Sequence, residues 1–250
     1  MSRIAVAGAT GTAGAKIAAR LTAAGHTVVP VSRSAGVDLH TGEGLKEALA
    51  GADAVIDAAN AFPSDPAADV VGTVAGATRL LLDTARELGV PRFVLVSICN
   101  IENPVFDQNL YYVAKREQEK AVAASGLRTT IVKTTQWHEF ATNPAAVVLG
   151  DTEVTVGDWL VQPVAADAVA DVVAALTVAA DAPEVVELSG PETIRLPELT
   201  RRLLAARGDA RPVRTVPAAV PALAEGAQLA PAAARIVGPT IEEWLRARTK

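Results

Sequence analysis

The stretch Val6-Ala7-Gly8-Ala9-Thr10-Gly11-Thr12-Ala13-Gly14 constrains this chain more than any other. It follows a short apolar run, Arg3 to Ala7, and opens a helical pattern that reaches about Ala24. A strand, a glycine-rich turn and a helix in that order make a seat for a pyrophosphate. Gly8 allows the tight turn, Gly11 lets the backbone approach the phosphates, and Gly14 lets the helix pack close to the strand. The N–H groups of the first helical turn point at the anion, and the helix dipole favours its charge. The spacing is G-x-x-G-x-x-G, with Thr10 where the commoner dinucleotide fingerprint has its second glycine. A P-loop is excluded, because Ala15 and Ile17 flank Lys16 where that motif needs Gly and then Ser or Thr.

The alternation continues along the chain. Thr27 to Ser32 is a β-rich run expected to be buried on both faces, followed by a short helix over 43–50 and a strand over 54–58. A helix then runs from Pro66, placed in its first turn, to Leu88 before Gly89. Phe93 to Ser97 is a fourth strand, 98–109 an irregular loop rich in Asn and Pro, 110–125 a helix stopped by Gly126, and 128–132 a fifth strand. This pattern predicts an α/β fold: a Rossmann-type, doubly wound parallel sheet with right-handed crossovers. Beyond it the reading is a loop and short helix over 136–148, a hairpin over 152–161 around Gly157-Asp158, a helix over 166–178, a strand over 185–188 and a helix over 196–206. Five prolines break up 212–239, and Thr240 with Glu243 forms a capping box for a last helix. The expected organisation is one α/β unit over 1–250. Its dinucleotide-binding part is 1–134, with 164–190 returning to it, and a small C-terminal substrate-side lobe comprises 135–163 and 191–250.

Composition removes several classes of function. A net charge of −5 with no Lys/Arg run argues against a nucleic-acid surface. The single cysteine, Cys99, rules out an internal disulfide or a cysteine-based metal site. His26, His40 and His138 are far apart, and Thr142 stands where a second histidine would complete a motif with His138-Glu139, so no metal is expected. The first apolar run is too short for a signal peptide, and the Ala/Val-rich run 164–180 is broken by Asp167 and Asp171, so no membrane segment is expected. The expectation is a cytoplasmic monomer or homodimer acting on a small molecule.

Gly8-Ala9-Thr10-Gly11 at the N-terminus resembles the extended and atypical short-chain dehydrogenase/reductases, particularly their NmrA-like, NAD(P)H-binding branch, most strongly over 1–140. The resemblance implies cofactor contacts from Gly8, Thr10, Gly11, Thr12 and Ala13. It adds Asp38, in the loop beside the adenine, then Ala58, Ala59 and Asn60 along the pyrophosphate and ribose, and Thr134. An NAD-specific site usually has Asp or Glu at the end of the second strand. Here Ser32-Arg33-Ser34 offers a cation and two hydroxyls, which predicts NADP(H) in preference to NAD(H).

The chemistry centres on Tyr111 and Lys115, four residues apart on one helical face. A phenol with a pKa near 10 is a poor acid or base at neutral pH, and a neighbouring ammonium favours the phenolate. In short-chain dehydrogenases a Tyr-x-x-x-Lys pair after the fourth strand transfers a proton, and the lysine also holds the nicotinamide ribose. The alternative is a surface helix in which Lys115 pairs with Glu119 and Tyr111 merely packs. The family's third catalytic residue falls within Ser97-Ile98-Cys99-Asn100, with Ser97 the candidate. On the substrate side the resemblance points to Asn100, Gln136, Trp137, His138 and Phe140. His138 is an acid, a substrate hydrogen-bond partner or a structural residue. The expected function is an NADP(H)-dependent oxidoreductase transferring hydride to a small carbonyl, quinone or enone-like substrate. The alternatives are a non-catalytic NADP(H)-binding sensor, and a sugar-nucleotide epimerase or dehydratase. For the last, the tail offers only the scattered Arg201, Arg202, Arg207, Arg211 and Arg214.

Overall fold

Short apolar runs alternating with amphipathic stretches give strands a sheet can bury and helices to cover it. The computed structural model describes residues 1–65 and 67–247. In chain order it contains β1 (Arg3–Ala7), α1 (Thr12–Ala23), β2 (Thr27–Val31), α2 (Leu45–Leu49), β3 (Ala54–Asp57), α3 (Val70–Glu87), β4 (Arg92–Ile98), α4 (Leu110–Ala123) and β5 (Arg128–Thr134). There follow β6 (Val147–Leu149), β7 (Val154–Gly157), β8 (Leu160–Val161), α5 (Ala166–Val178), β9 (Val185–Ser189), β10 (Ile194–Arg195), α6 (Leu196–Ala206), β11 (Val213–Val216), β12 (Arg235–Ile236) and α7 (Ile241–Arg246). The main sheet has the order β12-β9-β5-β4-β3-β1-β2, with β1 parallel to both β2 and β3. The parallel α/β Rossmann-type sheet expected from the sequence is therefore present, with further strands and helices after it.

The chain divides into two units, the first comprising 1–97, 106–133 and 170–186. Its central strands β3 and β4 are buried almost throughout, and Leu81, Phe93, Leu95, Leu45 and Leu49 share one core cluster. β2 departs from its expected burial on both faces: only Val31 of its five residues is buried. It is the terminal strand of the sheet order, so one edge has no neighbour among the described residues. α3 begins at Val70, where the Asp69 carboxylate accepts from the Gly72 N–H at 2.9 Å. The earlier start expected at Pro66 falls on a residue outside those described.

The second unit comprises 98–105, 134–169 and 187–250. The hairpin expected around Gly157-Asp158 lies elsewhere. β6 and β7 are its antiparallel arms, and the turn is closed by the Gly150 N–H on the Glu153 carbonyl at 3.0 Å. After Gly157 the chain leaves β7, because the Asp158 N–H bonds the carbonyl of Val216 at the end of β11. β11 adds to β7 in parallel, and β8 pairs with β10. The proline-rich tail also supplies β12, parallel to β9, before the Thr240–Glu243 capping box opens α7. No helix among the described residues is long and apolar enough to cross a membrane.

Two glycines give opposite expectations for the same substitution. A Cβ at Gly14 would lie 2.0 Å from the Gly8 carbonyl oxygen, whereas one at Gly76, inside α3, would have nothing within 4 Å. In urea denaturation Gly14→Ala should destabilise the protein by roughly 1–3 kcal/mol through overpacking. Gly76→Ala should stabilise it by roughly 0.5–1 kcal/mol through the lower entropy of the unfolded chain.

Candidate active site

The glycine loop of the first unit has the geometry its three glycines suggested. Gly8 adopts φ +75°, and a Cβ there would meet the Ala58 carbonyl oxygen at 2.6 Å and the Ala59 Cα at 2.8 Å. Gly8 thus needs glycine both for its backbone conformation and for its approach to the segment after β3. Gly14 lets α1 lie against Gly8 itself. Gly11, the N-cap of α1, differs: an added Cβ would meet only the Gly8 oxygen at 3.3 Å, and otherwise open space. Thr10, Gly11 and Thr12 are exposed, Ala13 is buried, and the first turn of α1 carries no acidic residue to occupy its N–H groups. Exposed backbone with open space beside Gly11, at the positive end of a twelve-residue helix, fits a dinucleotide pyrophosphate.

At the end of β2 the chain folds back. Arg33–Ala35 forms a 3-10 turn, Gly36 is left-handed, and the Val37 N–H returns to the Ser32 carbonyl at 3.0 Å. Asp38 is therefore brought back to the strand end. Its carboxylate accepts from the N–H groups of His40 at 2.7 Å and Thr41 at 3.4 Å. These bonds, His40's foremost, hold its pKa below the ordinary value, and the charge of Arg33 adds to the effect. The hydroxyls of Ser32 and Ser34 bond each other at 3.0 Å.

Ala58, Ala59 and Asn60 follow β3, and the Ala58 N–H bonds the Ala7 carbonyl at 3.1 Å. The Tyr111 hydroxyl donates to the Asn60 side-chain oxygen at 3.5 Å, while Asn109 caps α4 through the Tyr111 N–H at 3.1 Å. Burial raises the phenol's pKa above its ordinary value, so the lowering expected from the neighbouring Lys115 ammonium does not appear. Lys115 is buried and donates to the Val96 carbonyl at 2.9 Å. Burial lowers its pKa, opposed by the charges of Asp57 and Glu119.

Below these residues runs a polar network that the sequence reading left largely undrawn. Thr78 donates to Asp57 at 2.7 Å, and the Gln118 amide donates to Thr78 at 2.5 Å. Burial pushes the Asp57 carboxyl up. Glu119 accepts from the Ser97 hydroxyl at 2.5 Å and pairs with Lys133 at 3.2 Å. Ser97 is thus buried inside β4 with its hydroxyl given to Glu119. The available signal was a polar residue closing or interrupting an apolar strand, Asp57 in one case and Lys133 in the other.

The remaining expected residues belong to the second unit. Asn100 is the one non-glycine residue with positive φ, 58°, among those described, and its amide donates to the Leu229 carbonyl at 2.6 Å. Thr134 is buried and accepts from the Trp137 indole N–H at 3.0 Å. Gln136 donates to Gln228 at 2.5 Å, and Phe140 packs on Trp159 with ring centroids 5.2 Å apart. His138 is fully buried, edge-on to Trp244 at 4.8 Å, and its backbone N–H bonds the Val164 carbonyl at 3.0 Å. Among the described residues no three His, Cys, Asp or Glu side chains gather as a metal site would require.

Residues 35–179 match the model of a family described as NAD(P)H-binding. The chain belongs to that family. The NmrA-like branch expected from the sequence is a finer placement than this match makes. No curated protein sequence matches the chain. Among solved structures it is similar to TunA, an NAD-dependent NDP-hexosamine 5,6-dehydratase involved in tunicamycin biosynthesis (20% identity, TM-score 0.71, 100% of this chain and 97% of that one). It is also similar to a short-chain dehydrogenase/reductase superfamily protein from Agrobacterium tumefaciens with bound NAD (16%, 0.73, 99% and 96%). A third is the UDP-glucuronic acid 4-epimerase from Bacillus cereus, in complex with UDP-glucuronic acid and NAD (14%, 0.71, 99% and 98%). At such identities the likeness is one of fold, the Rossmann fold of short-chain dehydrogenases and nucleotide-sugar epimerases.

The expected preference for NADP(H) does not stand, since both of the similar structures named with their cofactor hold NAD. The loop after β2 supplies the physical reason. Ser32-Arg33-Ser34 lacks the acid of an NAD site, but the 3-10 turn returns the Asp38 carboxylate to that strand end, where it offsets Arg33.

Two substitutions separate the glycine loop from the network beneath it. Gly11→Val should fold normally yet bind NAD far more weakly by calorimetry, because its side chain enters the open space at the N-terminus of α1. Unchanged affinity would refute the loop assignment. Glu119→Ala should lower stability in urea by about 3–5 kcal/mol, since it removes a carboxylate paired with the buried Lys133 ammonium and accepting from Ser97.

Proposed function

We propose that this protein is an NAD(H)-dependent oxidoreductase of the short-chain dehydrogenase and epimerase/dehydratase type, with Tyr111 as proton donor to the substrate oxygen. One series of contacts carries the reading: Gly8 lies against Ala58 and Ala59, and Asn60, the next residue, accepts from the Tyr111 hydroxyl. It ties the phenol to the loop on which a dinucleotide would rest. Bound there, NAD(H) supplies the hydride donor or acceptor. Gly8, Thr10, Gly11, Thr12 and Ala13 would hold the pyrophosphate, Asp38 the adenine ribose hydroxyls, and Ala59 and Asn60 the segment between. Because burial raises its pKa, Tyr111 is protonated at neutral pH and is poised to donate to a carbonyl oxygen as charge develops there. Lys115 lies one turn along α4 from Tyr111 with its ammonium on the Val96 carbonyl, and Asp57 and Glu119 favour its protonated form against the effect of burial.

The substrate class favoured by the similar structures is a sugar nucleotide, because TunA and the UDP-glucuronic acid epimerase match over nearly the whole chain, second unit included. A small carbonyl or quinone is the second reading, and one observation favours it. Arg195, Arg201, Arg202, Arg211 and Arg214 each pair with a carboxylate, of Asp158, Glu198, Asp209 or Glu153, so a nucleotide diphosphate would compete with those acids.

Turnover tests the proposal. Steady-state assays with sugar nucleotides and a panel of aldehydes and quinones should show NAD(H)-linked activity, and NAD should bind at least as tightly as NADP. Tyr111→Phe should lower kcat by about 10²–10⁴-fold while NAD affinity persists. Full activity in that variant would remove Tyr111 from the role, and tight NAD binding with no turnover would favour the sensor reading. The pH profile follows from the sign of the shift. Reduction needs the protonated phenol, whose pKa lies above its ordinary 10.0, so kcat/KM for reduction should be flat through neutrality and fall only above about pH 10. A fall between about pH 5 and 7 would indicate a different acid.

A further inference from the structure

Only nine of the 250 residues are aromatic, and four of them form one line of contacts in the first unit. Phe106 and Tyr112 lie with ring centroids 4.6 Å apart, Tyr112 and Tyr111 5.6 Å, and Tyr111 and Phe62 5.4 Å. The line starts in the core, with Phe106 fully buried and Tyr112 5% exposed, and ends at Phe62, which is 44% exposed. Burying a phenylalanine stabilises a fold, yet this ring stands half in solvent beside the phenol proposed to do the chemistry.

Phe62 is also held in place. Its N–H bonds the Asn60 carbonyl at 2.9 Å, and Pro63 after it restricts its backbone to extended conformations. Its ring is inclined 31° to that of Tyr111. Asn60, two residues earlier, is the hydrogen-bond partner of the Tyr111 hydroxyl. An exposed ring fixed at its backbone and propped by a second ring is prepared to receive a ligand surface with little further loss of freedom. It carries no charge and no hydrogen-bonding group, so what it can receive is an apolar face.

We propose that the exposed face of Phe62 is a binding subsite for the apolar C–H face of the substrate's hexose ring, seated there while one of that ring's oxygens meets the Tyr111 hydroxyl. This rests on the reading that Tyr111 meets a sugar-nucleotide substrate. A reacting oxygen must come within hydrogen-bond reach of the phenol, about 3 Å. A six-membered ring bearing that oxygen then extends over the neighbouring aromatic, at a stacking separation of about 4.5–7 Å. Phe62 thereby selects for the sugar and not for the nucleotide.

The test measures binding, so it does not depend on turnover. The full chain saturated with NAD is titrated by calorimetry with UDP-glucose and with UDP, unmutated and as Phe62→Ala, Phe62→Leu and Phe62→Tyr. UDP-glucose should bind the unmutated protein more tightly than UDP. Phe62→Ala should remove about tenfold of that advantage while leaving UDP and NAD affinities unchanged. Phe62→Leu, which keeps apolar bulk without a ring face, should lose most of it, and Phe62→Tyr should restore it. An advantage unaltered in Phe62→Ala, or equal losses for UDP and UDP-glucose, would overturn the subsite. If the advantage is unaltered while Tyr111→Phe still abolishes turnover of the sugar nucleotide, the subsite fails and the proposed function stands. If the unmutated protein binds UDP-glucose no better than UDP and does not turn it over, the sugar-nucleotide reading fails and the subsite with it.

Discussion

The first unit depends on a contact between backbones with no side chain between them. Gly14 rests on the Gly8 carbonyl, and Gly8 rests on Ala58 and Ala59, with separations that would bring any added Cβ within 2.0 to 2.8 Å of a neighbouring atom. Those contacts bind the end of β1, the start of α1 and the segment after β3 into one piece. The orientation of α1 follows, and with it the direction of its N–H groups and its dipole. The position of Asn60 follows too, since it is the next residue after Ala59. The Tyr111 hydroxyl donates its hydrogen bond to the Asn60 side chain there.

A second constraint lies under α4. Lys115, Asp57, Glu119 and Lys133 bring two cations and two carboxylates out of water, tied together by Thr78, Gln118, Ser97 and the Val96 carbonyl. Desolvating such groups is expensive, and a network of this kind is tolerated when each charge has a partner and its hydrogen bonds are made. It also fixes the lysine of the Tyr-x-x-x-Lys pair. The pairing of Lys115 with Glu119 that stood as a purely structural alternative is part of this arrangement as a charge interaction, while the ammonium itself donates to a backbone carbonyl. Ser97, expected to face a substrate, serves the same network from inside β4. These residues come from five elements, β3, α3, β4, α4 and β5, so no local spacing could have joined them.

The sequence alone determined the parallel sheet, the tight turn at Gly8 and the close packing at Gly14, the helix bearing Tyr111 and Lys115, and the capping box of α7. Each follows from short-range rules: where a chain must turn without a Cβ, how apolar residues repeat, which side chains four apart share a face. Tertiary structure decided the rest. It made β2 an edge strand, moved the hairpin to Gly150–Glu153 and drew β12 out of a proline-rich tail, because strand partners are chosen across the chain. It turned Gln136 and His138 into the interior of the second unit, where nothing in a Gln-x-His run tells a ligand from a packing neighbour. It also changed the reading of the cofactor. A list of residues puts Arg33 next to the strand end and Asp38 six positions beyond Ser32, but one hydrogen bond from Val37 to Ser32 closes that gap and sets a carboxylate there as well. Electrostatics acts through distance in space, which the order of residues does not contain.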